Sequence, residues 1–156
     1  ASLYHLPAET FDKNVNRLLD LFDLTDWQSH LIESYSHGMR QKLIMTSVFM
    51  LETPTIIVDE PMVGLDPKSA RIVKELFKNH ARTGGSIFLS THSLEIAEEL
   101  CGQIAIILNG SIKAVGDMET LRKEARLETS DLEEVFLELT EAEELTEVIA
   151  ALKNMD

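Results

Sequence analysis

Basic side chains are scarce in this sequence. Across 156 residues, 14 Lys and Arg face 27 Asp and Glu, for a net charge of −13. A surface that neutralises nucleic-acid phosphates or anionic lipid needs clustered Lys and Arg, so neither partner is expected. Cysteine is scarcer still. Cys101 stands alone, which excludes an internal disulfide and fits a reducing compartment. No uncharged run approaches the roughly 18 apolar residues of a membrane span, and the N-terminus lacks the pattern of a signal peptide. The five histidines (5, 30, 37, 80 and 92) show no His-Glu-x-x-His spacing and have no cysteine pair to join, which excludes a zinc centre. Repeats, low-complexity tracts and Pro/Ser-rich linkers are also missing. The length suits one domain or part of one.

The charge is unevenly placed. Residues 131–156 hold nine acids and one base, so the tail carries −8 and the first 130 residues −5. Along the chain, Val15, Leu18, Leu19 and Phe22 recur at helical spacing and predict an amphipathic helix over 8–24. A polar connection leads to Ser36, placed to cap a second helix over 37–52 whose expected core face is Leu43, Ile44, Ser47, Val48 and Leu51. Pro54 ends it. Thr55 to Val58 has no polar alternation and reads as a strand buried on both faces. Pro67 suits the first turn of a helix over 67–80. Gly84-Gly85, a strand over 86–90, a short helix over 94–101 and a strand over 104–108 follow. Asn109-Gly110 signals a tight hairpin into 112–115, so the sequon Asn109-Gly110-Ser111 reads as a turn. The rhythm predicts an α/β fold with a mostly parallel sheet. The last 40 residues read as helices, with one apolar set at Leu132, Val135, Phe136 and Leu139 and another at Leu145, Val148, Ile149 and Leu152. A break between them is expected near 140–144, and the pair either packs on its own domain or serves a partner. Cys101 is expected in or near the core, and Trp27 and Tyr4 in the packing of the helical lobe.

Four segments carry chemistry. Ile56-Ile57-Val58-Asp59-Glu60-Pro61 puts two carboxylates at the C-terminal end of a strand, the edge where open α/β sheets bind ligands. One carboxylate can hold Mg²⁺ through its water shell while the next polarises an attacking water, as phosphoryl transfer requires. Taken alone, the same run is also what a strand entering an acidic surface turn would show. Gly64-Leu65-Asp66-Pro67 turns the chain into a helix. Ser90-Thr91-His92-Ser93 closes the next strand at the same edge, where an imidazole can reach a terminal phosphate. Tyr35-Ser36-His37-Gly38-Met39-Arg40-Gln41 opens a helix whose free N–H groups suit a phosphate, with Gly38 permitting close approach.

In this order the segments resemble the ATP-binding subunit of an ABC transporter, over about residues 3–139. Tyr35–Met39 resembles its signature motif, Ile56–Glu60 its Walker B strand and adjoining acid, Gly64–Pro67 its D-loop and His92 its switch histidine. The resemblance implies a P-loop ATPase that works as a dimer with a second ATP-binding subunit and powers a transmembrane permease, without nucleic acid. It places the chain in the cytoplasm, at the inner face of the cell membrane. ATP and Mg²⁺ are the implied cofactors. Asp59 would organise Mg²⁺, Glu60 would act as general base and His92 would contact the γ-phosphate. Ser36, His37, Gly38 and Asp66 would contribute to nucleotide binding, Ser36 and Gly38 at the opposite subunit's nucleotide.

Two departures qualify this. The commonest signature is Leu-Ser-Gly-Gly-Gln, whereas this chain has Tyr-Ser-His-Gly-Met, a form resembling bacterial export-type members. His37 should therefore not need a positive φ; its imidazole either donates to the γ-phosphate when protonated or faces outward without a role. The larger departure is that none of the seven glycines precedes a lysine, so the phosphate-cradling Gly-x-x-x-x-Gly-Lys loop is missing. The expectation is a C-terminal part of a nucleotide-binding domain, cut at Ala1 and unable to bind or hydrolyse ATP by itself. Its expected regions are a helical lobe over 1–54, the latter half of the ATPase core over 55–116, and C-terminal helices over 117–156. The alternatives are a lobe of a non-transport ABC ATPase, of SMC or translation-factor type, and an ATPase-dead binding module.

Overall fold

Helix-capping residues mark out much of the chain in the computed structural model, which describes residues 7–140. Two compact units divide between Thr91 and His92. In the first, α1 (Ala8–Leu21) leads through two short 3-10 turns to α2 (His37–Phe49), then β1 (Thr55–Asp59), α3 (Pro67–Arg82) and β2 (Ser86–Ser90). Ser36 caps α2, its Oγ accepting from Met39 N at 3.2 Å. Asp66 caps α3 with Pro67 in the first turn, its Oδ1 accepting from Ser69 N at 2.9 Å. Each such cap contributes about 1 kcal/mol.

β1 and β2 pair in parallel, with Asp59 opposite Ser90. The connection between them is α3, the crossover a parallel pair requires. Leu18, Leu19, Phe22, Leu24, Met45, Ile56, Val58, Val73 and Phe77 form the buried set of this unit. Phe49 meets Phe77 with ring centroids 5.5 Å apart. Asn14 is buried on α1 and donates to Glu52 Oε1 at 2.9 Å, which ties α1 to the turn beyond α2.

Two expectations fail here. β1 is buried on one face only: Ile56 and Val58 are covered, while Ile57 is 75% exposed and its neighbour Phe88 67%. Within the described part of this unit, helical cover lies on one side of the pair, so the uninterrupted apolar run overstated its burial. In α2 the buried residues are Met45 and Thr46; Ile44 is 51% exposed and Ser47 is exposed. Apolar side chains surround that helix almost evenly, so spacing alone did not select its inner face.

The second unit holds α4 (Leu94–Leu100), β3 (Ile104–Leu108), β4 (Ser111–Gly116), α5 (Met118–Glu124) and α6 (Leu132–Thr140). β3 and β4 form the expected antiparallel hairpin, turning at Asn109 (φ 51°) and Gly110 (φ 74°), the two positive values a tight hairpin turn requires. Ile104, Ile106 and Ala114 from the hairpin pack with Leu121, Ala125, Leu132 and Val135; Cys101, Phe136 and Leu139 are partly buried against them. The first apolar set of the tail therefore belongs to this core, and burial pushes the Cys101 thiol pKa up. Glu98 of α4 accepts from the backbone N–H of Leu132 at 3.1 Å through one oxygen and pairs with Arg122 of α5 at 3.5 Å through the other. Arg122 also donates to Ser130 O at 2.6 Å. Tyr4 and the second apolar set (Leu145, Val148, Ile149, Leu152), with the expected break before it, lie outside the described residues.

Candidate functional site

The C-terminal edge of the parallel pair gathers the acids with two hydroxyls. Ser90 donates through Oγ to Asp59 Oδ1. One residue on, Thr91 donates through Oγ1 to Glu60 Oε2 at 3.1 Å. Glu60 N–H continues the ladder by donating to Ser90 O at 2.9 Å, although Glu60 has left the strand with φ 45°. A left-handed backbone costs a side-chain-bearing residue about 1–2 kcal/mol and persists where neighbours hold it.

Those neighbours come from α2. Gln41 Nε2 donates to Pro61 O at 3.2 Å and to Glu60 O at 3.5 Å. Lys42 pairs with Asp66 at 2.9 Å. Gly38 lies so close to the 62–66 turn that an added Cβ would stand 2.7 Å from Gly64 O. Gly64 itself has φ +79°, and the space above its Cα is filled by His37, whose Cδ2 would be 2.3 Å from a Cβ there. One end of α2 thus grips the turn that follows the two acids at four points.

Of the seven residues singled out in the sequence, six fall in the first unit: Ser36, His37 and Gly38 at the start of α2, Asp59 and Glu60 at the end of β1, and Asp66 at the start of α3. His37 is the first residue of α2 and has no positive φ, as expected. Its side chain is exposed and its ring lies over Gly64. Asp66 is occupied by its cap and by Lys42; Lys42 first, then Ser69, holds its carboxyl well below the usual carboxylate range. His92 opens the second unit, exposed and one residue before the Ser93 that precedes α4. Sequence reasoning passed over Gln41, Lys42 and Thr91 as individuals. Thr91 was visible only as part of Ser90-Thr91-His92-Ser93, and the register that sets it beside Glu60 is seen only in the structure. For Gln41 and Lys42 there was only helical adjacency to Gly38. Trp27 stacks near His30 and Tyr35, at 4.9 and 5.9 Å, within the helical lobe.

The carboxylates and hydroxyls at this edge are all hard oxygen donors, a set suited to Mg²⁺. Among the described residues no group of three or more His, Cys, Asp or Glu is poised to hold a metal, and no helix is long and apolar enough to cross a membrane.

Comparison with known proteins bears on the family and the fold. The model of the family described as "AAA domain, putative AbiEii toxin, Type IV TA system" matches residues 12–98, more than half of the chain. A solved structure titled "Structure of ATP binding subunit of ABC transporter" superimposes with a TM-score of 0.85 at 35% identity, covering 88% of this chain and 57% of that one. The chain belongs to this AAA-domain family, as a homologue of ABC transporter ATP-binding subunits. The ABC-type transporter ATP-binding protein EcsA of Bacillus subtilis is 33% identical over 90% of this chain and 57% of its own length. The daunorubicin resistance ATP-binding protein DrrA3 of Streptomyces coeruleorubidus is 31% identical over 78% of this chain and 39% of its own length. The chain thus spans a little over half of EcsA and of the solved subunit. Its α/β architecture is that of part of an ABC ATPase core.

Proposed function

We propose that this chain is the signature-bearing and Walker B-bearing part of an ATP-hydrolysing subunit that powers an ABC transporter of export type. Adjacent carboxylates at the end of a parallel strand, each taking a hydroxyl from the next strand, carry the reading. In this assignment Asp59 would hold Mg²⁺, and the ion would neutralise phosphate charge when bound. Glu60 takes a proton from the attacking water. His92 meets the γ-phosphate. Ser36 and Gly38, at the N–H-rich end of α2, reach the nucleotide held by a second subunit, and His37 and Asp66 contribute to nucleotide binding. A membrane permease is the coupled partner, at the inner face of the cell membrane. The regions follow as a helical lobe over 1–54, the latter half of the ATPase core over 55–116 and C-terminal helices over 117–156. The missing Gly-x-x-x-x-Gly-Lys loop supports the further reading that these 156 residues do not bind ATP by themselves.

The test is Glu60→Gln in the full-length subunit. Removing the base while keeping phosphate contacts should lower hydrolysis by about 10²–10⁴-fold and leave an ATP-bound dimer that survives gel filtration. Wild-type turnover in that variant removes Glu60 from its role.

A further inference from the structure

Glu60 is set at an awkward place. It stands just past the end of β1, with a left-handed backbone, where neither strand geometry nor helix geometry orders its side chain. The parallel register supplies the order. Asp59 pairs with Ser90, so the next residues along the two strands, Glu60 and Thr91, fall side by side. Each carboxylate takes a hydrogen bond from the hydroxyl beside it, Asp59 from Ser90 and Glu60 from Thr91. Thr91 and Glu60 are both half-buried. The threonine is β-branched, so its χ1 is stiff and its hydroxyl is a fixed post, not a wandering one. A carboxylate gripped through one oxygen, with its backbone held by Ser90 O and Gln41, has a fixed direction.

We propose that Thr91 is a positioning residue for Glu60: its hydroxyl aims the carboxylate at the water to be activated. This rests on the reading of Glu60 as general base. In this role Thr91 acts through Glu60. Losing one hydrogen bond to a charged group, and with it the aim of the base, slows the chemical step and leaves nucleotide affinity alone.

The experiment is steady-state ATP hydrolysis by the full-length subunit with Thr91→Val, Thr91→Ser, Glu60→Gln and the Glu60→Gln/Thr91→Val double variant. Thr91→Val should lower kcat about tenfold with KM for ATP within about twofold, and Thr91→Ser should recover most of the loss. In the Glu60→Gln background Thr91→Val should add no further loss, because the group it positions is gone. Wild-type kcat in Thr91→Val overturns the proposal. So does a tenfold loss that persists in the Glu60→Gln background, or a parallel rise in KM, or a serine variant as slow as the valine. If Thr91→Val does not fold, Thr91→Ala removes the hydroxyl without adding bulk and reads the same quantities. Full activity of Glu60→Gln alone refutes the general-base reading; a disabled Glu60→Gln beside an unaffected Thr91→Val refutes only the positioning role.

Discussion

Replacing Gly64 with Ala tests the grip of α2 on the 62–66 turn. Gly64 sits at φ +79°, where an L side chain costs about 1–2 kcal/mol. The new methyl would also stand 2.3 Å from His37 Cδ2 and 2.6 Å from His37 Nε2, inside any van der Waals contact. His37 is exposed and can swing away, so the steric part is the cost of forcing its rotamer, about 0.5–1.5 kcal/mol. Together the two effects amount to about 1.5–3.5 kcal/mol, or a fall in Tm of roughly 3–14 °C for a domain of this size. The steric part should vanish in a His37→Ala background, while the backbone part should remain. Thermal melts of the four proteins of this double-mutant cycle in the full-length subunit measure the difference directly. Gly38→Ala is the internal control: its Cβ would meet Gly64 O at 2.7 Å, a backbone atom that His37→Ala does not move, so its cost should be the same in both backgrounds. Equal cost of Gly64→Ala with and without the His37 ring would show that the ring does not lie over this turn.

Two further outcomes concern the same scaffold. Gly84 (φ +93°) and Gly102 both have open space where a Cβ would go; Gly84→Ala should lower stability by about 1 kcal/mol through backbone strain alone, while Gly102→Ala should be neutral or stabilising by up to about 1 kcal/mol. Denaturant midpoints check the pair, and equal losses at both positions contradict the assigned backbone. Asp66→Ala should cost about 1–2 kcal/mol at pH 7 through loss of the α3 cap, whereas Asp66→Asn keeps one capping oxygen but loses the acceptor for Ser69 Oγ and the half-exposed pair with Lys42, together about 1–2 kcal/mol. Folding depresses the Asp66 pKa, so its charge contributes stability above the unfolded value and that contribution is lost as pH falls toward the folded one. The Asn variant's deficit should therefore be complete at pH 7 and shrink below about pH 4; a deficit that grows with acid reverses the sign and refutes the assignment.

Local chemistry made much of this fold readable. Ser36, Asp66-Pro67 and Asn109-Gly110 each act within four residues of themselves, so the helices and the hairpin they define were visible without a structure. The strand end at Asp59 and Glu60 was visible for the same reason. What the sequence concealed lies between segments. Ile56-Ile57-Val58 says that a strand is apolar but not how many of its faces are covered. The even apolar surround of α2 conceals which side meets the core. Gln41 reaches across 20 residues to Pro61 through the packing of α2 on the turn, and Thr91 across 31 to Glu60 through the parallel register; no local pattern states either.

Glu98 gives the second unit a gearing. Its two carboxylate oxygens hold the first N–H of α6 and the guanidinium of α5, and it rides on α4, six residues beyond His92. Since α4 begins at Leu94, Glu98 stands four residues along it, about 6 Å of helix axis. One carboxylate on α4 thus fastens both α5 and the start of α6, so removing it would loosen two helices at once.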